Sequence, residues 1–273
     1  MVETKLTVIV DNIAANGLTG EWGLSILAEH GGKKILVDAG ASELFAENMK
    51  KLGFDMAEVD CAVLSHAHYD HANGLPAFLR ENQKAKVYLQ ESARGDCYFK
   101  WLFISRYIGI PKELAERQDG RIVRMSGKYE LMPGAFLLSH STPGLDRTGA
   151  REKMYLRTAA GWRADDFSHE QSLILETDKG LVIVNSCSHG GAVNIINEAA
   201  AAFPGQKVYG LIGGFHLYNK KPQEVREAAR KIRQTGIEYV CTGHCTKERA
   251  YNIMKEELGD RLHQLQCGLV MTF

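Results

Sequence analysis

Seven consecutive residues, Ser65-His66-Ala67-His68-Tyr69-Asp70-His71, place three imidazoles and a carboxylate directly after the apolar run Cys61-Ala62-Val63-Leu64. Imidazole nitrogen binds zinc, iron and nickel, and a carboxylate oxygen completes a mixed nitrogen and oxygen ligand set. The apolar run reads as a buried strand, so the motif falls on a loop at the strand's carboxyl end. His66 and His68, two apart on extended backbone, aim their rings the same way. Asp70 and His71, on the turn that follows, face a second point nearby. Four ligands on one loop suffice to begin two metal sites.

Three other strand ends carry related chemistry. Asn185-Ser186-Cys187-Ser188-His189-Gly190-Gly191 follows a strand at 181–184 and sets a soft thiolate and an imidazole two residues apart. Gly213-Gly214-Phe215-His216 follows a strand at 208–212, and paired glycines allow a substrate to approach the backbone closely. Thr242-Gly243-His244-Cys245-Thr246 follows the strand 239–241. Six of the ten histidines therefore sit at four strand ends, which packing alone does not require. Cys241 and Cys245 bracket His244, but two further zinc ligands at suitable spacing are missing nearby. Cys241 reads as core and Cys245 as flanking the site; Cys61, Cys97 and Cys267 read as structural.

The elements that must hold these loops are legible in outline. Residues 6–10 form a strand ending at Asp11-Asn12. Residues 23–29 and 34–38 form a hairpin through Gly31-Gly32, and a helix at 43–52 stops at Gly53. A helix at 74–80 follows the histidine motif. The second half repeats this logic: strands 172–176 and 181–185 turn at Asp178-Lys179-Gly180, then helices at 193–202, 223–234 and 247–258 alternate with strands 208–212 and 239–242. Val225, Ala228, Ala229 and Ile232 take core-facing spacing on the second of these helices. Two halves, each a meander followed by β/α units, predict an α/β fold: an αββα sandwich of two mixed sheets with helices outside. Residues 92–166 are less regular and dense in aromatics (Tyr98, Phe99, Trp101, Phe103, Tyr107, Trp162), with 135–139 as one core strand. They read as an insertion in a single domain spanning 1–273, serving as a lid or a homodimer contact, or else as aromatics that fill core.

Formal net charge is zero, with 33 basic and 33 acidic residues. That argues against broad electrostatic binding of nucleic acid or membrane, while leaving room for a local basic pocket suited to a phosphorylated small molecule. No run reaches the ~18 apolar residues of a membrane span. The first residues, Met1-Val2-Glu3-Thr4-Lys5-Leu6, lack a signal-peptide core. A cytoplasmic location is the expectation, and in a reducing compartment the six scattered cysteines read as free thiols or ligands.

The His-x-His-x-Asp-His spacing resembles the signature of the metallo-β-lactamase fold superfamily, which implies the same αββα sandwich. Within it, Asp11-Asn12, Glu21-Trp22-Gly23-Leu24-Ser25, Leu36-Val37-Asp38-Ala39-Gly40, Cys187-Ser188-His189, Gly213-Gly214-Phe215-His216-Leu217 and His244-Cys245-Thr246 resemble the dihydropterin-methyl-(ribofuranosyl)aminobenzene-5′-phosphate synthase-like branch of metal-dependent hydrolases. By that resemblance Cys187 stands where the superfamily carries a metal-bridging carboxylate or a cysteine, and His244 is its last ligand. Leu145, after Thr142-Pro143-Gly144, stands where a further histidine is usual, so the third ligand is His189 or His169. His189 is favoured because it lies beside Cys187.

The resemblance implies two divalent metal ions, zinc first with iron or manganese as alternatives. His66, His68 and His189 would hold one, Asp70, His71 and His244 the other, with Cys187 bridging or above them. Asp70 and His216 are the expected catalytic groups, Asp70 orienting a metal-held hydroxide and His216 donating to an oxyanion or leaving group. Asp38 is a natural partner for a ligand imidazole. The function that follows is hydrolysis of a small-molecule phosphoester, ester or lactone. The alternatives are a transferase joining a pterin-methyl diphosphate to an aminobenzene ribofuranosyl phosphate, and a non-catalytic metal or redox protein.

Overall fold

Residues 3–273 are described by the structure, a computed structural model; Met1 and Val2, which begin the segment read above as lacking a signal core, lie outside it. One large sheet comprises β1 (Thr4–Val10), β2 (Ser25–His30), β3 (Lys33–Val37), β4 (Cys61–Val63), β5 (Lys86–Gln90), β8 (Ile122–Met125) and β18 (Val270–Thr272), in the order β18-β1-β2-β3-β4-β5-β8. The other comprises β9 (Lys128–Met132), β10 (Ala135–Ser139), β13 (Gln171–Thr177), β14 (Gly180–Val184), β15 (Val208–Gly213), β16 (Tyr239–Thr242) and β17 (Leu262–Gln264), in the order β17-β16-β15-β14-β13-β10-β9. Each is mixed. Antiparallel pairing runs from β1 to β3 and parallel pairing from β3 through β4 and β5 to β8. The second sheet likewise passes from the antiparallel β10, β13 and β14 to the parallel β15, β16 and β17.

Side-chain alternation decides the layering. Leu6 and Val8 of β1, Ile26 and Ala28 of β2, and Ile35 and Val37 of β3 enter one core with Leu173 and Leu175 of β13 and Val182 and Val184 of β14. That core lies between the sheets. The intervening residues Ile9, Leu27 and Leu36 face the other way, onto Phe45 and Met49 of α1 (Leu44–Lys51) and Phe78 of α3 (Leu75–Glu81). On the far sheet Ile174, Leu181, Ile183 and Leu211 meet α6 (Ala192–Ala202), α7 (Pro222–Gln234) and α8 (Lys247–Leu258). Strands buried on both faces need apolar residues at successive positions, which is why β14 reads Leu-Val-Ile-Val. The result is an α/β, αββα sandwich.

The 92–166 span is not one insertion. Its middle returns to the sandwich: β8 joins the first large sheet, and β9 and β10 join the second. The remainder supplies α4 (Lys112–Glu116), α5 (Leu145–Glu152) and a separate sheet β12-β11-β6-β7, from β6 (Cys97–Trp101), β7 (Ile104–Tyr107), β11 (Met154–Thr158) and β12 (Gly161–Ala164). The aromatics divide accordingly: Tyr98 and Phe99 are half-buried, while Trp101 and Phe103 stand out from the β6–β7 turn, Phe103 fully exposed. Among the described residues no helix is long and apolar enough to cross a membrane.

Close approach of loops at the carboxyl ends of the parallel strands depends on glycine. A Cβ on Gly213, at φ +141°, would lie 1.6 Å from the Asn185 carbonyl oxygen. Gly213→Ala is expected to destabilise the protein by about 2 kcal/mol or more, lowering Tm by about 4 °C or more. A calorimetric melt checks this.

Candidate metal centre

Five strand ends converge at one edge of the sandwich. Asp38 follows β3, residues 65–68 follow β4 and lead into α2 (Tyr69–Ala72), and residues 185–189, Gly214–His216 and His244 follow β14, β15 and β16. The expected turn after His68 is this single helical turn, which carries Asp70 and His71. Asp38, Ser188, His216 and His244 all sit at positive φ, +59°, +53°, +48° and +45°. L-residues hold this conformation only where surrounding contacts enforce it, and such outliers gather at functional sites.

Asp38 is fully buried and accepts four hydrogen bonds. One oxygen takes the Ser65 backbone N–H at 2.7 Å, and the other takes the Ser65 hydroxyl, the Ser186 hydroxyl and His71 Nδ1–H at 2.8 Å. Since the Ser65 proton goes to Asp38, its oxygen accepts from His66 Nδ1–H at 2.8 Å. His244 Nδ1–H donates to the Asn12 side-chain oxygen at 3.1 Å. With their Nδ1 atoms engaged, His66, His71 and His244 turn Nε2 inward, the arrangement a metal ligand requires. His66 Nε2, His68 Nε2, His244 Nε2 and both ring nitrogens of His189 and His216 are buried without a hydrogen-bond partner among the described residues.

These orphaned nitrogens fall into groups of metal-binding size. His66, His68 and His189 bring ligand atoms within 4.8 Å of one another, as do His66, His71 and Cys187, and Cys187, His189 and His216. Asp70 lies 3.7 Å from His71 Nε2 and 3.5 Å from His244 Nε2. Cys187 Sγ is 3.3 Å from His71 Nε2 and 3.5 Å from Cys245 Sγ. A buried unpaired polar nitrogen is costly, so seven of them together fit ion binding better than packing. The donor set, imidazoles with one carboxylate and thiol, suits a divalent ion such as zinc.

His169, the other candidate for the third ligand, is engaged elsewhere. Its Nδ1 accepts the Ala67 N–H at 3.1 Å, and its Nε2 faces Asp165 at 3.1 Å and Cys97 at 3.6 Å. With Nδ1 accepting, the proton lies on Nε2 and is donated to Asp165, so the ring braces the motif loop from both sides. The His189 loop has its own clamp: Glu170 accepts the His189 and Gly190 N–H groups, both at 2.8 Å. Cys241 lies in the core between the sheets, and Cys245 lines the site.

Burial sets the charge state. It holds His66 and His189 well below the ordinary histidine range and His68 at about 3, so all three are neutral and ready to ligate. Asp70 is raised by burial, but facing His71 and His244 outweigh this and keep it ionised. Burial pushes the Cys187 thiol up. It pushes Cys245 up as well, but the Cys187 hydrogen bond and the His244 charge bring Cys245 well down. His244 is lowered by burial and raised by Cys245 and Asp70, ending at about 9.

The site opens into a cleft of about 310 Å³ walled by Trp22, Phe99, Met154 and Tyr218, with Arg106 at its rim. A second cavity of about 810 Å³, with Lys247 and Arg249 in its lining, shares Trp22, Tyr218 and His244 with it. Sequence reasoning missed Arg106, Tyr218 and Glu170 as contributors, since register and tertiary contact alone bring them here; Trp22 and Asn12 had been noted only within quoted motifs.

Residues 19–197 match the Metallo-beta-lactamase superfamily. The chain is 30% identical over 250 residues to the 7,8-dihydropterin-6-methyl-4-(β-D-ribofuranosyl)-aminobenzene-5′-phosphate synthase of Methanocaldococcus jannaschii, covering 88% of this chain and 85% of that one. A solved structure described as a metal-dependent hydrolase of the β-lactamase superfamily superposes with a TM-score of 0.83 at 29% identity, covering 98% of both chains. The metallo-β-lactamase fold protein YhfI from Bacillus subtilis aligns over the full length of both chains with a TM-score of 0.61 at 13% identity, a likeness of fold alone.

Elemental analysis separates the two candidate third ligands. Wild type is expected to carry about two metal ions per chain, and His189→Ala and Asp70→Ala to carry fewer. His169→Gln is expected to keep the wild-type count while losing about 2 kcal/mol of stability, because the buried Asp165 carboxylate loses its hydrogen-bond donor. Metal loss in His169→Gln with retention in His189→Ala would reverse the assignment.

Proposed function

This chain belongs to the metallo-β-lactamase superfamily, and on that premise we propose that it is a binuclear metal-dependent hydrolase of a small-molecule ester, a phosphoester first among them. The observation that carries this reading is the convergence of bare, buried imidazole nitrogens with Asp70 and Cys187 on the floor of a cleft. In this reading His66, His68 and His189 hold one ion, Asp70, His71 and His244 hold the second, and Cys187 lies between the two sets. Two divalent ions supply Lewis acidity there, lowering the pKa of water and withdrawing charge from a phosphoryl or carbonyl oxygen.

The chain's own groups do the rest. Asp70, ionised and facing the cleft, accepts a hydrogen bond from the attacking water and fixes its direction. His216 stands beside His189 with ring centroids 4.5 Å apart, and its Nε2 is 3.8 Å from Glu152. His216 Nε2 is thereby placed to donate a hydrogen bond to the leaving oxygen. Glu152 is itself raised by burial, but hydrogen bonds from Lys220 and Asn219 outweigh that and keep it ionised. Trp22, Phe99 and Tyr218 give the cleft apolar walls against which a substrate ring can pack.

One observation favours a second reading. The 30% identical relative is named as a synthase, and a cleft walled by aromatic side chains can admit an organic nucleophile in place of water. The same residues would then serve a transferase acting on a pterin-methyl diphosphate and an aminobenzene ribofuranosyl phosphate.

Turnover of 4-nitrophenyl phosphate, bis(4-nitrophenyl) phosphate and a lactone panel tests the proposal. Hydrolysis is expected from zinc- or manganese-loaded protein, lost on chelation and restored by metal. His216→Ala is expected to lower kcat about 10²- to 10⁴-fold with metal content unchanged. No hydrolysis of any panel member, together with condensation of the two pterin-pathway precursors, would replace hydrolase with transferase.

A further inference from the structure

Among the residues lining the metal cleft, Arg106 alone carries a fixed positive charge. It lies on β7, opposite Phe99 of β6, which in turn pairs with Met154 of β11. These three cross-strand neighbours share one face of the small sheet, and all three line the cleft. Register, not chance, therefore turns the guanidinium toward the site.

Arg106 is exposed, and among the described residues no carboxylate pairs with it and no acceptor takes its N–H groups. Other arginines of this chain are matched: Arg80 with Glu43, Arg117 with Asp119, Arg163 with Asp166, Arg226 with Glu256 and Arg230 with Glu257. Asp70, the one carboxylate in the cleft lining, is directed at His71 and His244. The other cations of the small sheet are engaged elsewhere: Lys100 lies over Tyr155 and Trp162, Arg157 over Trp162, and Arg163 pairs with Asp166.

We propose that Arg106 binds a non-reacting oxyanion of the substrate, so that the cleft selects anionic aromatic molecules over neutral ones. The planar guanidinium offers paired donors to a carboxylate or a phosphate, a geometry lysine does not reproduce. Phe99, Trp22 and Tyr218 provide the apolar and π surfaces against which a ring attached to that anion packs. The assignment rests on reading the cleft as the substrate site. It gives β7 a role in specificity that the metal ligands do not supply.

Calorimetric titration of full-length, zinc-loaded wild type, Arg106→Ala and Arg106→Lys with phenyl phosphate, benzoate and neutral benzamide tests it. Arg106→Ala is expected to weaken binding of at least one anion about 10- to 100-fold and benzamide less than about twofold, with Arg106→Lys recovering only part of the loss. The anion that responds identifies the substrate group as phosphate or carboxylate. An unchanged Tm checks that Arg106→Ala folds, as expected for an exposed side chain. Absence of anion binding by wild type, equal anion affinity in wild type and Arg106→Ala, or an equal loss for benzamide would overturn the proposal. The two readings fail separately. An Arg106-dependent anion preference without hydrolysis of any ester removes the hydrolase reading and leaves this one. Ester hydrolysis whose KM responds to Arg106→Ala alike for anionic and neutral substrates does the reverse.

Discussion

The structure depends on a buried carboxylate. Asp38 has no exposed surface, and four donors satisfy its two buried oxygens. Those donors come from both large sheets: Ser65 and His71 follow β4 of the first, and Ser186 follows β14 of the second. One side chain therefore joins the sandwich at the end where the motifs lie. It also orients the His71 ring directly and the His66 ring through Ser65. The same hydrogen bonds leave Nε2 of both histidines facing the proposed ions.

The rest of the site follows the same logic of enforced geometry. Asn12 orients His244, Glu170 clamps the loop bearing His189, and the His169–Asp165 pair braces the motif loop from behind. Each support places a polar partner on the outer side of a ligand-bearing loop, leaving the inner side for the ions. Burial then keeps His66, His68 and His189 neutral. In the proposed two-ion arrangement, the histidines of the first position need shed no proton to bind metal, while His244 competes with its own proton at the second.

Much of this was legible in the chain. The apolar runs of β1, β2, β3, β13 and β14, with the glycine turns between them, announced both sheets, and the apolar runs before each histidine motif announced their strand ends. The roles of particular residues were harder to read. His169 stayed open beside the favoured His189 because the Ala67 N–H that engages His169 lies 102 positions away. Cys245 approaches Cys187 across 58 positions, and Arg106 reaches the cleft only through the register of β6 and β7. The strands β17 and β18 are three residues each, too short to display a period. The stretch 92–166 resisted division because β8 and β9 mix charged with apolar residues, and only pairing with their neighbours shows that they belong to the sandwich.

The central claim is that Asp38 organises a metal centre, and zinc affinity of Asp38→Asn tests it most directly. The amide preserves shape but replaces one accepting oxygen with a donor, so His71 or Ser65 must lose its partner. Competition against a chromophoric chelator is expected to show zinc binding weakened about 10- to 100-fold, with the fold retained by circular dichroism. Zinc bound by a folded Asp38→Asn protein with wild-type stoichiometry and affinity would contradict the account.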